Sequence, residues 1–429
     1  MSADSVRLEA RALEKLAGQK EELFALLSRL VSFDSQNFGN RGNEAECAAY
    51  IRGLYEEQGL DTALYMPDHV PGVTDSPYYW PGQHTDERPN VTGVRWGKNR
   101  DERVMLAAHI DTMPAGDLSL WEFGPFSPTL QDGRLIGLGA CDDKFGIAGA
   151  FMALKVLDEL GVRLEKTVVL NSYSDEEFGG GNGAVAAGLH CPCQTLVNLD
   201  GGSYEMWATA LGGGCYQLKL HRNAVSDDCM HVYKLLARFM QELDAFGARR
   251  RAELQANRYY HGTVIADSAF RVGSVGCTGD AHQDAQVSFV IYTDREKEEI
   301  DAELAEIVRK LQPEMAAAQV TTEGFVHTSR YFKYSEVDEG SEAFRTMKDC
   351  AEKACGHAVP VKGSCLTDLS AFVGVLPDAC SFNFGVLRDF SLPGGAHQPN
   401  EFVDCEEFYN FTKALLLFLI RYCGAEELA

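Results

Sequence analysis

Five short clusters of carboxylates and histidines follow one another along the chain. They are His109-Ile110-Asp111, Cys141-Asp142-Asp143-Lys144, Asp175-Glu176-Glu177, Asn198-Leu199-Asp200-Gly201 and Ala396-His397. Two imidazoles with several carboxylates suit a hard-to-borderline ion such as zinc, and the chemistry such a set supports is metal-assisted hydrolysis. A pair of ions about 3.5–4 Å apart needs one shared ligand and terminal ligands on both sides. Asp142 lies between the other clusters in sequence and is the natural bridge. His109 and Asp200 would complete one ion, and Glu177 and His397 the other. Bound ions lower the pKa of water, so a neighbouring carboxylate can act as general base. Glu176, adjacent to Glu177, is placed for that role. Asp111, two residues beyond His109, could accept the second imidazole N–H and fix the ring.

Each cluster alone has a plainer explanation. His-x-Asp at a strand end can be a capped turn, and Asp-Glu-Glu before glycines a solvated acidic turn. Asp-Asp-Lys before a helix makes a good N-cap. All five in order, most of them just past a strand-like apolar run, are harder to explain as coincidence.

The elements that must carry them alternate. Val91–Val94 and Val104–Ala108 read as strands, the second delivering His109. Lys144 to Leu160 reads as a helix directly after the double aspartate. Thr167–Leu170 is a strand leading to Glu176 and Glu177, and Thr195–Val197 another leading to Asp200. Strand, loop, helix, strand is the doubly wound α/β plan, with a mostly parallel sheet and its sites at the carboxyl ends of strands. Helical spacing also predicts one amphipathic helix over 6–32 and a second from Glu44 to Gln58. Residues 66–90, with five prolines, read as a long loop.

Past Gly212-Gly213-Gly214, which reads as a hinge, the pattern changes. Tyr216–Leu220 alternates like a strand with one face exposed, followed by a helix from about Asp228 to Phe246. Val287–Tyr292 is a second strand and Glu298–Leu311 a second helix. Residues 213–322 are therefore expected to be a smaller α+β insertion in a catalytic domain made of 1–212 and 323–429.

The chain has 429 residues, a formal net charge of −24 and 24% charged residues. Such a surface repels nucleic acid and anionic membranes, so neither is expected as a partner. No basic start followed by an apolar core is visible, and the longest apolar run, Ala414–Ile420, is short for a membrane span. A cytoplasmic location is expected. Thirteen cysteines, an odd and scattered set, argue against a disulfide framework. Cys191-Pro192-Cys193 lacks a second pair at metal-finger spacing, and Cys141 reads as a packing residue.

The clusters in their full context resemble a known family. His109-Ile110-Asp111-Thr112-Met113-Pro114, Gly137-Leu138-Gly139-Ala140-Cys141-Asp142-Asp143-Lys144, Asp175-Glu176-Glu177-Phe178-Gly179 and Ala396-His397-Gln398-Pro399-Asn400-Glu401 look like its signatures. It is the family of di-zinc metallopeptidases and aminoacylases that includes acetylornithine deacetylase, succinyl-diaminopimelate desuccinylase, peptidase T, carnosinase and carboxypeptidase G. The resemblance implies His109, Asp142, Glu177, Asp200 and His397 as ligands of two zinc ions, with cobalt or manganese as substitutes. It implies Asp142 as bridge, Glu176 as base, Asp111 as the residue orienting His109, and a cis Asp142–Asp143 peptide. The insertion would be a lid, with a homodimer formed through it. Two features depart from the pattern. Leu138 stands where the family usually has arginine, and no histidine stands clearly at the family's lid position. His221, His231 and His282 are the candidates for that place.

The substrate expected is a small N-acyl amino acid or short peptide, cleaved at its amide. Arg388, in the loop leading to His397, could clamp a substrate carboxylate bidentately. Asp368, in a segment resembling one near the family's substrate pocket, is a further substrate-binding candidate. Tyr78, Tyr79 and Trp80 could line an apolar pocket or pack the long loop down. A di- or tripeptidase, and a catalytically silent binding homologue, are the alternatives.

Overall fold

The computed structural model describes residues 3–223, 230–277, 279–280 and 283–427. The chain divides into two compact units, Met1–Thr209 with Glu336–Ala429, and Ala210–Ser335.

The first unit is built on an eight-stranded sheet. Its order is Asp61–Tyr65, Asn90–Arg95, Lys166–Tyr173, Asn99–His109, Thr195–Asn198, Cys380–Gly385, Glu205–Trp207 and Val361–Lys362. The four central strands run parallel, with Met105 opposite Val169 and Leu196, and Phe382 opposite Val197. Asn90–Arg95 joins antiparallel on one side and Glu205–Trp207 on the other. Thr167–Tyr173 and Thr195–Asn198 are buried at every position rather than at alternate ones. A strand buried without alternation has both faces covered, as a doubly wound sheet requires. Helices Lys144–Glu159, Cys405–Tyr422 and Glu342–Cys355 form one packed set, and Asn182–His190 packs with Leu369–Val375 in another. Lys144–Glu159 is apolar nearly all round, which suits its place between the sheet and the helix Cys405–Tyr422.

This architecture puts the carboxyl ends of the parallel strands together. His109 is the last residue of its strand, Asp175 to Glu177 follow Tyr173, and Asp200 follows Asn198. The Asp142–Asp143 peptide, immediately before the helix at Lys144, is cis.

Some local expectations change. The N-terminal helix is two helices, Ala3–Gly18 and Lys20–Val31, broken at Gln19. Gly18 weakens the turn there, and the Gln19 amide bonds Glu159 instead. The long loop contains a short 3₁₀ turn at Pro67–His69 and is pinned by Asn182, whose amide bonds both the N–H and the carbonyl of Trp80. No helix among the described residues is long and apolar enough to cross a membrane.

The second unit pairs Phe270–Gly276, Asp284–Thr293, Gly212–Arg222 and Val320–Thr321 in one antiparallel sheet, with Phe325–His327 also on Gly212–Arg222. Asp284–Thr293 alternates strictly between buried and half-buried positions. Its inward residues Val287, Phe289 and Ile291 join Phe239, Leu243, Leu304 and Leu311 in one core. These last come from helices Met230–Ala256 and Lys297–Ala318. The unit begins at 210 and ends at 335 rather than spanning 213–322, because Phe325–His327 belongs to its sheet. Gly212-Gly213-Gly214 lies just inside the boundary of the second unit. It opens the strand, and a Cβ on Gly213 would sit 2.0 Å from the Ile291 carbonyl oxygen. The second helix runs on through Pro313 to Ala318, carried by the burial of Leu311 and Met315 on either side of the missing N–H. The expected first residue of the other helix, Asp228, lies outside the described residues.

Candidate metal centre

Five of the residues singled out in the sequence meet in the first unit. His109 Nε2 lies 2.9 Å from Asp142 Oδ1, and His397 Nε2 lies 3.1 Å from Asp142 Oδ2 and 3.0 Å from Glu177 Oε2. Two groups whose donor atoms lie within 4.8 Å of one another could each hold a metal ion: His109 with Asp142 and Asp200, and Asp142 with Glu177 and His397. Asp142 is common to both. All are buried except His397. Neither group includes Cys191 or Cys193.

The donor chemistry fits cations. His109 Nδ1 lies 2.8 Å from the carbonyl oxygen of Asp111, which only accepts, so Nδ1 carries a proton. In the neutral ring, Nε2 then presents a lone pair toward the carboxylate of Asp142. Two acceptors facing each other at 2.9 Å need a proton or a metal ion between them. The electrostatics agree. Burial pushes Asp200 up to about 7, with the Asp142 charge adding to it. Burial alone would raise Asp142 too, but hydrogen bonds from His109 and His397 hold it below the usual range. A bound cation relieves the same repulsion.

Asp111 acts differently from the expectation. Its carboxylate is 3.7 Å from His109 Nδ1, too far for a hydrogen bond. The main-chain oxygen orients the ring instead. The carboxylate is taken up by other donors: the Asn37 side-chain amide at 2.8 Å and the backbone N–H groups of Glu176 and Glu177 at 3.1 Å. It therefore fixes the segment bearing Glu176 and Glu177 rather than the imidazole. Burial, and then the neighbouring Asp368 charge, raise the Glu176 carboxyl well above the usual range.

Asp368 is buried beside the first turn of Leu369–Val375, and its charge acts on both Glu176 and Asp200. Arg388 is not brought to the metal groups by its observed contacts. Its guanidinium lies 4.5 Å from the centre of the Phe402 ring and bonds the Pro393 carbonyl. Tyr78 packs onto Gly374, where a Cβ would come within 2.5 Å of its ring. Cys141 is fully buried, and burial drives its thiol far up, so it packs as a neutral residue. In the second unit His221 pairs with Asp284 at 2.8 Å. His231 is exposed, and His282 lies outside the described residues.

A family model described as peptidase family M20/M25/M40 matches residues 105–421. The chain belongs to this family. It is thus an enzyme of a metallohydrolase family. An uncharacterized metallohydrolase of Methanocaldococcus jannaschii is 32% identical over 162 residues, 37% of this chain and 37% of that protein. So the chain matches well under half the length of that relative. The N-formyl-4-amino-5-aminomethyl-2-methylpyrimidine deformylase of Halalkalibacterium halodurans is 24% identical across 94% of this chain and 95% of its own length. Among solved structures, the M20 family metallo-carboxypeptidase of Sulfolobus solfataricus superposes with a TM-score of 0.69 at 17% identity, covering 94% of this chain and 99% of that one.

Two features of this M20-family site have no counterpart in the motif reading. The first is a buried guanidinium. Arg88, at the end of the long loop, bonds Glu44 Oε1 at 2.7–2.8 Å and Asp175 Oδ1 at 2.8 Å, and lies 3.8 Å from Asp111 Oδ2. All four side chains are sealed from solvent. Nothing in the sequence marks a single arginine between a proline-rich loop and a strand as the counter-ion of residues far away. With this buried charge goes Glu401, a second missed charged group. It accepts the Cys141 N–H at 3.0 Å next to the bridge, inside a signature quoted for His397 alone.

The second feature is apolar. Phe178 follows Glu177 directly and adopts the left-handed conformation, φ 60° and ψ 24°. That costs a residue with a Cβ about 1–2 kcal/mol, yet its ring is 47% exposed. Phe390, 43% exposed, meets the His397 ring edge-on, with centroids 4.9 Å apart.

Proposed function

We propose that this chain hydrolyses the amide bond of an N-acyl amino acid or short peptide, with zinc as its ion. The observation that carries the reading is the pair of buried donor groups sharing Asp142, with Glu176 beside them. His109, Asp142 and Asp200 would hold one ion, and Asp142, Glu177 and His397 the other. Such ions supply Lewis acidity, polarising a carbonyl and making water nucleophilic at neutral pH. Glu176 takes the proton from the attacking water and passes it to the leaving nitrogen, the usual exchange of base and acid roles. Asp111 aims Glu176 by gripping its backbone N–H. Asp368, beside Glu176, contacts the substrate. Arg388 would grip a substrate carboxylate after leaving the Phe402 ring.

A second reading has its own support. The deformylase match runs along nearly the whole of both chains, which favours a formamide of an aminomethylpyrimidine as substrate.

The test is hydrolysis by zinc-loaded protein of N-acetyl, N-succinyl and long-chain N-acyl amino acids, free dipeptides and an N-formyl aminomethylpyrimidine. Released amine and formate are measured together with bound metal. Amine from the acyl amino acids or peptides supports the first reading. Formate from the pyrimidine alone replaces it with the second. Metal-loaded protein that cleaves none of them sinks both.

A further inference from the structure

We infer that Phe178 and Phe390 form an apolar rim that selects substrates carrying a bulky apolar group next to the scissile amide. The two rings are attached to the two ends of one contact. Phe178 is covalently next to Glu177, Phe390 meets the His397 ring edge-on, and Glu177 and His397 meet at 3.0 Å. Each of these residues leaves almost half its surface in water. Phe178 is also the wrong residue for its backbone. Glycine or asparagine adopts the left-handed region far more easily, and a strained residue at a site is a pointer to function. Leu120 extends the apolar surface. It is 59% exposed, and its carbonyl accepts a bond from Asn400, three residues past His397. On a chain with net charge −24, exposed aromatic surface beside an acidic centre is out of character with the rest.

The inference rests on the hydrolase reading for the word substrate, and its test does not need turnover. Titration calorimetry of metal-loaded protein with acetohydroxamate and with 3-phenylpropionohydroxamate compares two ligands that differ only in apolar bulk. The phenyl compound is expected to bind roughly 10–100-fold tighter. The ratio should fall toward one in the double variant Phe178→Asn, Phe390→Ser. Phe178→Gly guards against a folding artefact. Its melting temperature should be unchanged or higher, while the ratio falls. Equal affinities in the unaltered protein, or a ratio unmoved by the double variant, overturn the inference. An intact ratio with a changed sedimentation coefficient assigns the rings to contact with a second copy and also overturns it. Failure to cleave any amide defeats the hydrolase reading, and the hydroxamate ratio still decides the rim.

Discussion

Two acidic clusters lie side by side in the first unit and are partnered in different ways. In one, Glu44, Asp175 and Asp111 surround Arg88, and backbone and amide N–H groups take up remaining oxygens. In the other, Asp142, Glu177 and Asp200 face two imidazoles, with the Met113 N–H on Glu177. Both are buried, so neither has water to lean on. The first carries its own cation in the chain. The second turns lone pairs toward one another and, on the proposed reading, would be completed by ions from outside. Asp111 borders both, so the cluster around Arg88 is the mount for the one proposed to receive ions.

The contrast can be broken experimentally. The largest effect is expected from Glu176→Gln, which should lower kcat by roughly 10²–10⁴-fold with metal content unchanged in elemental analysis. Loss of metal along with activity would make Glu176 a ligand. Asp142→Ala should empty both metal groups, while Asp200→Ala should empty one, as read by metal stoichiometry after dialysis. Arg88→Met leaves buried carboxylates without their cation and should cost about 3–5 kcal/mol in urea unfolding. An unchanged midpoint would mean the cluster is not held by charge. Stripping metal with a chelator should lower stability by about 4 kcal/mol for each ion that had stood 1,000-fold above its Kd, in Arg88-intact protein only through the second cluster.

The smallest effect concerns a third carboxylate paired by the chain itself. Glu9 bonds Arg421 at 2.7 Å and also Lys353. Burial alone would raise its carboxyl, but those bonds hold it below the usual range. Its folded pKa is below its unfolded value near 4.3. Its contribution is therefore complete above that value and disappears as pH falls through the folded one. Glu9→Gln should cost about 1–3 kcal/mol at neutral pH. The difference from the unaltered protein should hold down to about pH 5 and shrink below about pH 4. A difference that grows on acidification would reverse the sign.

What was legible in the sequence follows from range. The parallel centre and the ligand-bearing strand ends show as apolar runs stopped by carboxylates, a local signal. The encounter of His397 with Asp142 and Glu177 rests on a motif, since no periodicity links residues so far apart. Arg88 was invisible for the same reason without a motif to help. The break at Gln19 and the passage of a helix through Pro313 were missed because packing overrides local preference in both. Asp111 shows a subtler limit. Spacing placed it beside His109, yet which of its oxygens meets the ring depends on donors from Asn37, Glu176 and Glu177.

The position of His397 also sets an order of assembly. Chains are made and fold from the N-terminus. The group of His109, Asp142 and Asp200 has all its ligands once residue 200 has left the ribosome. The group of Asp142, Glu177 and His397, and the sheet strand Cys380–Gly385, must wait until the whole of 210–335 has been synthesised. On the proposed reading, a nascent or truncated chain would therefore pass through a stage in which the ligands of one ion are all present and those of the other are not.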